Sequence, residues 1–231
     1  MANKATYFGS FALCISMGAI SAQAALLHVV LDTTPLIGNP AQPFYIEFQL
    51  NDGSGTNDGN NTAMIDNFDY GGGGPGLMIS NVGGSSGSLD TGVTITDSGF
   101  FNQFFQEFTP GNTLSFDVNL TEFVDAGPQP DEFTFAILDC SQTEIPTTSP
   151  ANALVSVDIT SPLTINSFAG NPSGSLACNG SPGIPLSTPA VVVVPEPAPA
   201  PLLLLGLIIV GQIVHLRPIG KRGSVRRHRA P

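Results

Sequence analysis

Hydrophobic and polar residues alternate in short runs through the middle of the chain. Tyr45-Ile46-Glu47-Phe48-Gln49-Leu50, Val93-Thr94-Ile95-Thr96 and Thr113-Leu114-Ser115-Phe116-Asp117-Val118-Asn119-Leu120 each put their apolar side chains on one side of an extended backbone. Glu132-Phe133-Thr134-Phe135-Ala136-Ile137-Leu138 and Leu154-Val155-Ser156-Val157-Asp158-Ile159 do the same. A period of two marks a strand with one buried face, and helical spacing is absent from these runs. Clusters of Gly, Asn, Asp and Pro separate them, as at 51–61, 71–76 and 83–87, and predict turns. The pattern predicts an all-β body over residues 25–171, an antiparallel β-sandwich of jelly-roll type. Phe100, Phe101, Phe104, Phe105 and Phe108 are expected in its core, because the chain has 15 Phe and no Trp.

The two ends break the alternation. Lys4 precedes an apolar run over 11–20, and Ala22-Gln23-Ala24 supplies a small-x-small cleavage pattern. That layout predicts a secretory signal peptide over residues 1–24 and a mature chain from Ala25. Residues 172–193 are rich in Pro, Ser and Gly and read as a stalk, with a short apolar patch beginning at Val191. Val194-Pro195-Glu196-Pro197 follows, then an Ala/Pro spacer and the apolar run Leu202 to Leu216. As a helix, residues 201–216 would measure roughly 24 Å, short of a hydrocarbon core of about 30 Å. Spanning would need help from the flanks or local thinning. Arg217, Lys221, Arg222, Arg226, Arg227 and Arg229 come next and should stay cytoplasmic, which puts the body across the membrane.

A V-P-E-P box, a Leu/Gly-rich helix and an Arg-rich terminus, in that order over 194–231, resemble the PEP-CTERM sorting signal of polysaccharide-producing Gram-negative bacteria. The resemblance implies processing near Pro195-Glu196-Pro197 by exosortase, a membrane cysteine transpeptidase. It also implies an inner-membrane precursor and a final place at the cell surface or in the extracellular matrix. The stretches Leu27 to Gly38 and Phe44 to Gly53 resemble the opening of one group of proteins carrying this tail, and bring no activity with them.

Charge sharpens the picture. Every Asp and Glu, 18 in all, lies between Ala25 and Leu216, and no Lys or Arg does. The whole-chain net charge of −11 conceals this separation. Such a field excludes nucleic acid and anionic lipid surfaces as partners of the body. Its acids must be solvated, cap turns, or face a bound cation. After signal removal Cys140 and Cys178 remain, and an even pair in an exported chain predicts one disulfide.

Catalytic chemistry finds little support in these residues. His28 is the only body histidine, and it lies in a strand-like segment without a nucleophile partner. Glycoside hydrolysis needs only two carboxylates, for which Glu107, Glu122 and Glu132 are available, but the aromatic platforms for sugar are few. The expectation is a non-enzymatic structural or interaction role in the exopolysaccharide layer, without a cofactor unless calcium binds. The alternative is a carbohydrate-binding or calcium-dependent adhesive module. For calcium, the oxygen-rich loop 51–61 offers Asp52, Asp58 and Asn60, though it lacks the closing Glu of an EF-hand and also reads as a plain polar turn.

Overall fold

The computed structural model describes residues 24–54 and 57–195. The signal peptide up to Gln23, Glu196 and Pro197 of the sorting motif, the apolar run to Leu216 and the basic tail lie outside these residues. The described chain forms twelve strands and a single 3-10 turn at Thr34–Leu36. In order the strands are β1 (Ala24–Asp32), β2 (Phe44–Asn51), β3 (Thr62–Asp69), β4 (Gly74–Val82), β5 (Gly84–Ser88) and β6 (Gly92–Thr96). They continue as β7 (Phe101–Thr109), β8 (Thr113–Thr121), β9 (Glu132–Leu138), β10 (Val155–Asp158), β11 (Thr164–Ser167) and β12 (Ala190–Val194). Among the described residues no helix is long and apolar enough to cross a membrane.

Two antiparallel sheets enclose one core. The first runs β12-β1-β8-β3-β6-β5 and the second β11-β10-β9-β2-β7-β4. Alternation builds both inner faces. In β8, Leu114, Phe116, Val118 and Leu120 are buried while the residues between them are less so. In β2, Phe44, Ile46, Phe48 and Leu50 are buried from the other side. Phe48 is the hub: its ring meets Phe116 across the sheets at 5.1 Å and stacks on Phe133 within its own sheet at 6.1 Å. Edge-to-face and offset contacts of this kind add to the burial of area itself.

The five runs with a period of two are all strands, within a residue or two of their expected bounds. The Phe run divides, because successive residues of a strand face opposite ways. Phe104 and Phe108 enter the core, whereas Phe100 and Phe101 are 66% and 42% exposed and Phe105 is half-buried on the other face against Tyr45, so the expectation that all five are core fails for these three. The Gly83 to Gly87 cluster is also not a plain turn. Gly84–Ser88 forms β5, an edge strand that pairs with β6 through its backbone alone.

The larger correction concerns residues 172–193. They are not a stalk: Leu176, Ile184 and Leu186 are each at most 2% exposed and join the common core. Ala190–Val194 becomes β12, which pairs with β1 in the register Leu26 to Val194 through Val30 to Ala190. Cys178 is bonded to Cys140 with a Cα separation of 5.4 Å. Asp139 organises the junction: its carboxylate accepts from the backbone N–H of Cys178 at 2.8 Å and from Ser141 Oγ at 2.6 Å. The compact unit that contains every described strand ends at Val194, and of the second unit, Pro195–Pro231, only Pro195 is described.

Candidate metal centre and adjoining cleft

Several of the acids gather at one end of the sandwich. Strands β2 and β9 pair with Asn51 opposite Glu132, so the residues just beyond them, Asp52 and Asp131, emerge side by side. Glycine at position 53 allows the approach, since the Pro130 backbone leaves no room for a Cβ there. Asp125, on the loop between β8 and β9, completes a group of three carboxylates whose ligand atoms all lie within 4.8 Å of one another. Asp52 and Asp131 are buried and Asp125 partly so.

A polar scaffold holds the group. The Asn61 side-chain amide donates to Asp131 Oδ2 at 2.7 Å and to the Phe123 carbonyl at 2.8 Å. Its backbone N–H donates to Asp97 Oδ2 at 3.0 Å. Asp131 Oδ1 accepts from the Gly53 N–H at 3.0 Å, and Asp52 Oδ2 accepts from the Asn57 N–H. Asn60 Nδ2 bridges Asp125 and Asp58, at 2.8 and 2.9 Å.

The electrostatics are one-sided. Asp97, fully buried, is pushed up to about 7, first by burial and then by the carboxyl and charge of Asp131 and the charge of Asp58, against the opposing Asn61 hydrogen bond. Burial raises Asp125 as well, and the charges of Asp131, Asp58 and Asp52 add to it against the Asn60 hydrogen bond. Like charges this close cannot all ionise without a counter-ion. The body histidine does not supply one here: His28 Nδ1 donates to Asp117 Oδ1 at 2.7 Å, on β1 and β8. Hydrogen bonds from His28 and Asn67 hold Asp117 below the usual carboxylate range, outweighing the burial that raises it.

Of the three residues expected to bind calcium, Asp52 is in the carboxylate trio. Asn60 adjoins it through Asp125, and Asp58 is exposed and joins it through Asn60. Asp97, Asp125 and Asp131 were not expected there. The signal available was the 123–131 loop, which carries two acids among Gly and Pro between two strands of strong alternation. Val194 and Pro195 sit at and just beyond the end of β12.

The same segments line a cleft of about 370 Å³ formed by Asn51, Gly53, Phe100, Phe101, Gln129 and Glu132, together with Asp52 and Pro130. Register makes Phe101, Asn51 and Glu132 cross-strand neighbours on the outer face of the second sheet. The next row along that face is Gln103, Gln49, Thr134 and Ser156. Glu132 Oε1 accepts from Ser156 Oγ at 2.6 Å. Glu122 lies by a different pocket, with Ala25 and Val193, and Glu107 is on β7 outside the cleft.

Further down the face, Glu47 is 1% exposed, and one of its oxygens accepts from Gln49 and Gln103. Burial raises its pKa against those two hydrogen bonds, helped by the nearby charge of Glu144. A folded value above the unfolded one means this acid favours the fold at low pH, and loses that contribution as pH rises through the folded value. Glu47→Gln is therefore expected to flatten the decline in unfolding midpoint as pH rises above the ordinary carboxylate range. Parallel profiles for the two proteins would contradict it.

Compared with models of protein families, with curated proteins and with solved structures, the chain matches none.

Proposed function

We propose that the chain is an exported protein of a Gram-negative bacterium, sorted by exosortase through its 194–231 tail to the cell surface or extracellular matrix. There it serves as a non-enzymatic structural or interaction module of the exopolysaccharide layer. In this reading residues 1–24 are removed, Leu202 to Leu216 is a transient membrane helix, and the sandwich has a jelly-roll arrangement. The observation that carries the reading is the tail itself, with its V-P-E-P box, apolar run and cations in order. The antiparallel pairing of Leu26 with Val194 supports it, because the mature chain then enters and leaves the body at one end of one sheet edge. Changing Pro195, Glu196 and Pro197 together to Ala is expected to leave an unprocessed inner-membrane form. Normal-sized triple-Ala protein at the cell surface, detected by fractionation and immunoblot, would overturn the reading.

A second reading, a carbohydrate-binding module on the same anchor, is favoured by the cleft. Phe100 and Phe101 offer exposed rings, and Asn51, Gln129 and Glu132 offer hydroxyl partners without any cation to select an anionic ligand. Saturable binding to one neutral sugar class on a glycan array, lost in Phe101→Ala, is the result this reading requires. Equal signal from the variant would remove it.

A further inference from the structure

We propose that Asp52, Asp125 and Asp131 hold a calcium ion that ties the loop after β2 to the loop between β8 and β9. The inference is independent of how the protein is exported. The trio supplies three carboxylates with ligand atoms within 4.8 Å. A second observation points the same way. Asp97 is fully buried on the loop after β6, Asn61 joins it to Asp131 through two hydrogen bonds, and its Oδ1 has no hydrogen-bond partner among the described residues. Two more buried acceptors, Asp125 Oδ2 and Asn60 Oδ1, share that condition. Buried carboxylate oxygens are costly unless paired with a donor or a cation. Donors are scarce, because no Lys or Arg occurs from Ala25 to Leu216.

The donor set selects the ion. Every group is a hard oxygen, and the cluster holds neither histidine nor thiolate, which disfavours zinc and copper. The ligands come from separate loops of irregular shape. Calcium accepts such flexible shells of six to eight oxygens, whereas magnesium demands a tight octahedron and keeps its waters. Asn61 is a positioning residue here, since it bonds both Asp97 and Asp131 and touches the Phe123 backbone. The loops so tied also line the cleft beside Phe100 and Phe101, so the ion would set that cleft's shape.

The test uses the full exported chain in mild detergent, stripped with chelator. Equilibrium dialysis with calcium should show one tight site per chain. Calcium at about 100 times its dissociation constant should raise the unfolding midpoint by roughly 5–10 °C. Magnesium and sodium chloride at matched ionic strength should raise it much less. Asp125→Asn, which keeps the side chain's shape, should weaken calcium binding at least tenfold, as should Asp52→Asn. Asp66→Asn with Asp69→Asn, on exposed β3, should bind as the parent does. Circular dichroism checks that each variant folds, and an unfolded Asp125→Asn leaves Asp52→Asn to decide. Absence of a tight site, equal affinity in the folded trio variants, or equal response to all three salts would overturn the proposal.

Discussion

A chain that stops at Asn171 is expected to fail to fold, and one that stops at Pro195 to be as stable as the whole body. Cutting at Asn171 removes Leu176, Ile184 and Leu186 from the core, removes β12, and leaves Cys140 without Cys178. Loss of each buried aliphatic side chain costs roughly 2–5 kcal/mol where its site cannot collapse. Opening a loop of 38 residues forfeits about 4 kcal/mol more in the chain-entropy account. Together these match or exceed the 5–15 kcal/mol, roughly, that holds a typical domain. A cut at Pro189 is intermediate: the disulfide and core survive, but β1 becomes a bare edge prone to self-pairing. Far-UV and near-UV circular dichroism of the three fragments would check this. A cooperative, fully stable fragment ending at Asn171 would restore the stalk.

Phe48→Ala should be the costliest single core change, at about 3–5 kcal/mol. The ring touches Phe68, Phe104, Phe116, Phe133 and Phe135, with centroids between 5.1 and 6.3 Å. Its neighbours come from four strands in both sheets, so no single neighbour can move to fill the space. Phe100→Ala offers the contrast, because that residue is 66% exposed and its loss should cost less than about 1 kcal/mol. Denaturant unfolding monitored by circular dichroism gives both numbers. A loss below about 1 kcal/mol for Phe48→Ala would mean that the two sheets do not share this aromatic centre.

Strands whose alternation is strict were readable directly. β8 buries every second residue, and the period of two has no competing interpretation there. β5 was not readable, since Gly84-Ser85-Ser86-Gly87-Ser88 carries no apolar side chain, and its strand state comes from the β6 backbone beside it. Residues 172–193 were misread because Leu176, Ile184 and Leu186 are isolated among Pro, Ser and Gly. Their burial is set by the Cys140 to Cys178 bond and by contacts with distant chain, not by local period. The disulfide itself was inferred from a count of two cysteines, which needs no geometry. The acidic site was half legible. The 51–61 loop announced its oxygen donors, but Asp125 and Asp131 lie more than 70 residues on from Asp52 in sequence, and only the β2 to β9 register unites them.

The central claim is that this sandwich is an exported, tail-processed protein, and the intact mass of the chain recovered from the cell surface tests it most directly. The account predicts a chain that begins at Ala25, ends close to Pro195-Glu196-Pro197, and lacks two hydrogens for the Cys140 to Cys178 bond. A chain recovered from the cytoplasm that still carries Met1 and the basic tail, with both thiols free, would contradict it.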